Sequence, residues 1–232
     1  MSAQAYYVGE VEYHLVQYVT AQIRPGFVMF DVGAHHGVFT LIAAFELKRR
    51  GWKGVIHSFE PDPANFALLE HNVQQNDLSS YVVLHPEAVG DINGQLEMVF
   101  DQGDNSGNFL ARTSASGATS ADSSDQGRTI RKVPVSTLDS WLDKLPEVSL
   151  IKMDIQGAEA LALEGGRNLI ARFRPVLVIE AVPGWHGTEQ IRRKLTEYRY
   201  KILGVNKEGQ LCPVDSTQAF VSWDWVAIPE ER

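Results

Sequence analysis

From Phe27 onward the sequence alternates short apolar runs with stretches of helical periodicity, and this alternation limits the fold more than any other feature. Phe27-Val28-Met29-Phe30, Val55-Ile56-His57-Ser58-Phe59, Tyr81-Val82-Val83-Leu84, Val148 to Met153 and Pro175-Val176-Leu177-Val178-Ile179 have the length and content of strands. After the first of them Val38, Leu41, Ile42 and Phe45 recur at i, i+3, i+4 and i+7, which predicts a helix with those four residues inward. Asp62-Pro63 reads as an N-cap followed by proline at the first helical position, and Phe66, Leu69 and Val73 supply that helix's apolar face. Leu138, Trp141, Leu142 and Leu145 line a further helix, opened by Ser136 and Asp139 at capping-box-like spacing. Residues Ala158 to Ile170 read as helix around Gly165-Gly166, and Thr188 to Tyr198 as helix with Ile191, Leu195 and Tyr198 inward. Strands that alternate with helices pair in parallel and are covered on both faces. The last two strands, Tyr200 to Val205 and Val221 to Ile228, are joined by too few residues for a crossover helix. They are expected to pair antiparallel at one end of the sheet.

This divides the chain into a helical lead-in over 1–26 and a domain over 27–232. The lead-in has Val11, Leu15 and Tyr18 at helical spacing and stops before Pro25-Gly26. Within the domain, Leu96 to Phe100 reads as an extra strand. Asn105 to Gly127 is rich in Ser, Gly, Ala, Asp and Thr, so a flexible insertion is expected over about 101–130, as a surface loop or a flap over a ligand. Composition narrows the partners. With 21 Lys and Arg against 29 Asp and Glu the net charge is −8, which opposes contact with phosphate backbones. The longest basic run, Lys48-Arg49-Arg50, ends a predicted helix and complements its dipole, so no nucleic-acid partner is expected. The single cysteine, Cys212, excludes an intrachain disulfide. Met1 to Tyr18 lacks the pattern of a signal peptide and no apolar run approaches the ~20 residues that span a bilayer, so a soluble, cytoplasmic protein with no membrane partner is expected.

The sharpest local motif is Asp31-x-Gly33-x-x-x-Gly37 at a strand-to-helix turn. Glycines there admit a ligand close to the backbone, at the strand ends where open parallel sheets bind ligands. The spacing departs from G-x-G-x-x-G, and a carboxylate before the first glycine would repel a pyrophosphate but attract a sulfonium or amino group. This argues against a nicotinamide-dependent oxidoreductase, the weaker alternative. Glu60 ends the second strand 23 positions after Gly37, placed to accept hydrogen bonds from ribose hydroxyls. Ala88-Val89-Gly90-Asp91 offers an apolar pair with backbone donors for an adenine edge, or a simple turn. Asp154 ends the strand begun near Val148, followed by Gln156 and Glu159, and Glu180 ends the next strand at the same sheet edge. A hard divalent cation shared by Asp154, Glu159 and Glu180 is the less favoured use of these carboxylates. His35 and His36 lie inside the glycine turn. His186, after Pro183-Gly184-Trp185, stands in a loop on the same face and has the chemistry for proton abstraction.

Taken together the strings resemble the FkbM-type methyltransferases, which use S-adenosylmethionine. The resemblance rests on Phe30-Asp31-Val32-Gly33-Ala34-His35-His36-Gly37, Phe59-Glu60-Pro61-Asp62-Pro63-Ala64-Asn65-Phe66, Ala88-Val89-Gly90-Asp91, Val135-Ser136-Thr137-Leu138-Asp139 and Ile151-Lys152-Met153-Asp154-Ile155-Gln156-Gly157-Ala158-Glu159, in that order from about Phe27 to Glu180. It implies an α/β, Rossmann-like class I methyltransferase fold: a seven-stranded, mostly parallel sheet with an antiparallel last strand and helices on both faces. It implies methyl transfer to a hydroxyl of a small molecule such as a sugar or polyketide. By position, Asp31, Gly33 and Gly37 would cradle the methionine part and Glu60 would bind ribose, with Asn65 orienting that turn and Asp154 near the methyl donor; Ala34, His36, Pro61, Ala88 and Val89 are further expected cofactor-binding residues. The expected catalytic residues are His186 first and Asp154 second, and no metal ligand is assigned. One departure stands out: the family usually has Asp-x-Glu-Gly-x-Glu where this chain has Gln156, which keeps hydrogen bonding but loses charge. That leaves a non-catalytic cofactor-binding protein as the alternative. The expected partner is a small hydroxylated acceptor, and a homodimer is expected.

Overall fold

A computed structural model describes residues 13–101, 109–111, 128–182, 187–214 and 224–232. In chain order the elements are α1 (Tyr13–Gln22), β1 (Phe27–Val32), α2 (Val38–Arg50), β2 (Gly54–Phe59), α3 (Pro63–Gln75), β3 (Val82–His85), β4 (Ala88–Val89), β5 (Gly94–Asp101), β6 (Phe109–Ala111), β7 (Arg128–Ser136), a 3-10 turn (Leu138–Trp141), β8 (Leu150–Met153), α4 (Glu159–Gly165), α5 (Arg167–Phe173), β9 (Val176–Glu180), α6 (Thr188–Glu197), β10 (Tyr200–Val205), β11 (Leu211–Pro213) and β12 (Asp224–Pro229).

β1 is buried along its whole length and is the axis of the main sheet. It pairs in parallel with β2 on one side and β8 on the other. Successive side chains of a strand point to opposite faces, so β1 feeds two cores. Phe27 and Met29 join Leu15, Ala43, Leu47 and Leu69 under α1, α2 and α3. Val28, Phe30 and Val32 join Leu163, Ile170, Ile191 and Leu195 of α4, α5 and α6. The expected helices on both faces follow from this division.

The sheet order is β11-β10-β12-β9-β8-β1-β2-β3. β12 lies antiparallel between β9 and β10, as expected of the last strand. The strand count is eight rather than seven. The link after β10 is too short for a helix but long enough for a hairpin, and Asn206 Oδ1 accepts the N–H groups of Glu208 and Gln210 at 3.1 and 2.8 Å, closing a turn that folds β11 back on β10.

Two local expectations are corrected. α2 buries Phe39, Thr40, Ala43, Ala44 and Leu47, whereas Phe45 is 55 % exposed. The helix is rotated because Thr40 must reach Asp31, to whose Oδ2 its hydroxyl donates at 2.6 Å, and because Ala43 and Ala44 let the backbone approach the sheet. The helix expected after Ser136 is a single 3-10 turn; Ser136 still belongs to β7, and the N–H of Thr137 is bound by Asn93. Asp139 caps a different helix, accepting from the backbone of Asn168 and Leu169 at the start of α5. The strand expected over Leu96 to Phe100 is present within β5 and belongs to a second sheet, ordered β4-β7-β5-β6. β5 and β7 pair antiparallel from Gly94↔Val135 to Asp101↔Arg128, and β6 extends β5 on its other side. Met98, Phe100, Val133 and Val135 give this sheet its own small core. The remainder of the insertion expected over 101–130 lies outside the described residues.

Candidate active site

The turn after β1 is tied to the neighbouring strand ends on both sides. Gly33 and Ala34 donate their N–H groups to the carbonyl of Phe59, each at 3.0 Å. Gly33 has φ +76°, and a Cβ there would lie 1.9 Å from the carbonyl oxygen of Asp154. No other residue type fits between β1 and β8 at that point. His35, at φ +52°, donates its N–H to Glu60 Oε2 at 2.8 Å. Gly37, at φ +97°, starts α2 against Leu69.

Between this turn and the ends of β2, β4 and β8 lies a cleft of about 200 Å³. Gly33, Ala34, His36, Glu60, Pro61, Asn65, Ala88, Val89 and Asp154 all line it. Asp31 and Gly37 do not: Asp31 is 1 % exposed beneath the turn, held by Thr40, and Gly37 acts through the backbone. His186 and Trp185 lie outside the described residues.

Glu60 accepts backbone N–H groups on both oxygens, from His35 and from Asp62 at 2.9 Å. Burial nevertheless dominates and pushes its pKa up to about 7. The same loop is rigid because Asp62 caps α3, its Oδ1 accepting from Ala64 and Asn65. His36 shares a ring-to-ring hydrogen bond with His35; burial, then the charges of His35 and Lys152, hold its pKa below the ordinary value.

The β8 end carries the charges. Burial works against ionisation of Asp154, but the Lys152 ammonium, 3.3 Å from Oδ2, together with hydrogen bonds from Glu180, Lys152 and Gln156, holds its carboxyl below the usual range. Glu180 moves the other way. Burial, then the charges of Asp154 and Glu159, push its carboxyl up to about 9. Gln156 Nε2 lies 3.1 Å from Asp154 Oδ1 and 3.4 Å from Glu180 Oε2. A glutamate at 156 could not donate to both, so the departure from the family pattern removes a third carboxylate and supplies a bridge. Glu159 is turned away: its Oε1 accepts the N–H groups of Ile155 and Gly157 at 2.8 and 3.3 Å. Asp154, Glu159 and Glu180 therefore do not converge, and among the described residues no group of three His, Cys, Asp or Glu is arranged to hold a metal ion.

Among the cleft residues that sequence reasoning passed over are Lys152 and Met98. Lys152 had a signal, a charge inside the apolar run Leu150-Ile151-Lys152-Met153. Met98 had none, because it arrives from the second sheet. The cleft thus combines an anion, Asp154, a carboxyl bound by two backbone donors, Glu60, and apolar walls from Ala88, Val89 and Met98.

The model of the methyltransferase FkbM domain matches residues 31–202. "Methyltransferase 1" of Beauveria bassiana is 29% identical over 148 residues, 58% of this chain and 56% of the relative. The 31-O-demethyl-FK506 methyltransferase FkbM of Streptomyces tacrolimicus is 40% identical over 80 residues, 34% of this chain and 28% of the relative. The chain thus matches about half or less of the length of these curated relatives. Among solved structures, methyltransferase FkbM from Methylobacillus flagellatus superposes with a TM-score of 0.53 at 19% identity, covering 90% of this chain and 47% of that one. Precorrin-6y C5,15-methyltransferase from Geobacter metallireducens gives 0.50 at 13% identity, covering 94% and 88%. These two likenesses show the class I methyltransferase fold. The family model spans every residue that lines the cleft, and the chain belongs to the FkbM methyltransferase family.

Proposed function

We propose that this protein transfers a methyl group from S-adenosylmethionine to a hydroxyl oxygen of a small molecule. The observation that carries the reading is the convergence of the Gly33 turn, Glu60, Ala88-Val89 and Asp154 on one cleft. The residues fit the group. Asp154 is an anion with Lys152 and Gln156 on its flanks and suits the amino group of the methionine part. Glu60 is already ordered by two backbone donors and suits the ribose hydroxyls. Ala88 and Val89 offer an apolar slot for the adenine. When bound, S-adenosylmethionine supplies a methyl group on a sulfonium, a leaving group good enough that alignment is the main demand on the protein. The oxygen acceptor is supported by the relative from Streptomyces tacrolimicus, whose name specifies O-methylation. Asp154, stabilised as an anion by its neighbours, is a poor proton acceptor, so its role is to hold and orient. His186 is the proposed base for the acceptor hydroxyl. Among the described residues no helix is long and apolar enough to cross a membrane.

The test is thermal unfolding with S-adenosylmethionine, S-adenosylhomocysteine, NAD and ATP, each with and without magnesium. A ligand specific for the folded state adds about 2.7 kcal/mol at a hundred times its dissociation constant. A rise with the two sulfur ligands, independent of magnesium, is expected, followed by turnover in a screen of hydroxylated acceptors and its loss in His186→Ala. No rise with either sulfur ligand overturns the reading; binding without turnover on any acceptor points to a non-catalytic cofactor-binding protein.

A further inference from the structure

We propose that Lys152 is a positioning residue of the cleft, fixing Asp154 and the Gly33 carbonyl at the end that takes the amino-acid part of the cofactor. The inference rests on the functional reading above and adds to it a residue with no assigned role. β8 is buried at each of its four positions, and Lys152 is one of them. An ammonium in such a place costs several kcal/mol unless matched. The match comes from two strands. The parallel register sets Asp31 of β1 beside Lys152, and alternation along the chain sets Asp154 on the same side. Nζ lies 3.3 Å from Asp154 Oδ2, 3.4 Å from the Gly33 carbonyl and 4.0 Å from Asp31 Oδ1, and 5.2 Å over the ring of Phe39.

The neighbouring acids leave this work to Lys152. Glu159 is committed to backbone N–H groups, and Glu180 accepts from Gln156 at 3.4 Å. Asp154 is therefore held between Lys152 on one oxygen and Gln156 on the other. Glu60 and the Ala88-Val89 slot are ordered by other contacts: Glu60 by the backbone of His35 and Asp62, β4 by its pairing with β7.

The test compares two ligands that share adenosine and the thioether but differ in the amino-acid part: S-adenosylhomocysteine and 5′-methylthioadenosine. Calorimetric affinities are measured for the wild type, Lys152→Gln, Asp154→Asn and the double variant. Lys152→Met serves in the same way if the glutamine variant does not fold. Lys152→Gln is expected to weaken S-adenosylhomocysteine about tenfold or more, the scale of a charged hydrogen bond, and 5′-methylthioadenosine less than about threefold. On the Asp154→Asn background the same change is expected to cost little, because Lys152 acts through Asp154. Parallel loss of both ligands, or fully additive losses in the double variant, overturns the proposal while leaving the functional reading intact. Failure of the wild type to bind either ligand overturns the functional reading, and the proposal with it.

Discussion

Replacing Gly33 by alanine makes two demands that can be separated. One is an L-residue at φ +76°; the other is a methyl group 1.9 Å from the Asp154 carbonyl oxygen. The conformational demand costs about 1–2 kcal/mol. The steric demand cannot be met by a side-chain shift, because the obstructing atom is backbone. β1 and β8 would have to part by about 1 Å to reach even 3.0 Å, stretching the Lys152 contact to the Gly33 carbonyl and the β1–β8 pairing. A total of about 4 kcal/mol or more follows, in the range reserved for broken cores and networks. Gly51→Ala is the control. Its φ is +66° but nothing lies within 4 Å of a Cβ there, so it carries the conformational cost alone. For a chain of this size each kcal/mol lowers Tm by about 2–4 °C. Calorimetry should therefore give a drop of about 3–6 °C for Gly51→Ala and about 10 °C or more for Gly33→Ala. S-Adenosylhomocysteine affinity should be kept in the first and lost in the second. Equal drops in Tm, or undiminished affinity in Gly33→Ala, would refute the argument that close approach of β1 and β8 shapes the cleft.

Glu60→Gln should weaken S-adenosylhomocysteine by about 10- to 100-fold in a calorimetric titration, because an amide accepts on one side only and faces a backbone N–H with its own NH₂ on the other. Burial holds the pKa of His57 down to about 4 against an ordinary 6.5, so the unfolded chain binds that proton more tightly. Stability is complete above pH 6.5 and falls toward pH 4, by about 2 kcal/mol at pH 5 for this residue; Tm measured at pH 7.5 and 5 should differ less in His57→Phe than in the wild type. His85, stacked on His57 and also held down to about 4, adds to the same loss. Asp139→Ala removes the cap of α5 and should cost about 1 kcal/mol in thermal unfolding with no change in ligand affinity.

The main sheet was legible because its information is local. Period and turn residues place β1, β2, β8 and β9 within a residue or two, and parallel pairing follows from the intervening helices. The face of α2 was not, because the rule of apolar spacing favours Phe45, whereas the rotation is set by a polar contact, Thr40 to Asp31, between residues nine apart. Of the second sheet only the strand over Leu96 to Phe100 was legible, and its pairing was not, for another reason. Its long pair joins Gly94–Asp101 to Arg128–Ser136 across a polar stretch, and composition over 105–127 says nothing of a pairing between its flanks.

The site divides along the same line. Positions that serve through backbone geometry, Gly33, Gly37 and the capped turn at Asp62, can be read from residue type alone, since few side chains tolerate those conformations. Carboxylates cannot be assigned that way. Asp154, Glu159 and Glu180 stand at one sheet edge and look alike in sequence, yet one carboxyl is held below its usual range, one is bound to its own loop and one is pushed well above it. What separates them is the count of charges around them: Lys152 balances one carboxylate, and Gln156 declines to add another. A glutamate at 156 would leave an extra negative charge among groups already short of a cation, calling for another proton or a metal ion. With glutamine, Lys152 suffices, and Asp154 remains an anion able to meet a cationic ligand. The substitution that weakens the resemblance in sequence is therefore consistent, in charge, with the cofactor the resemblance implies.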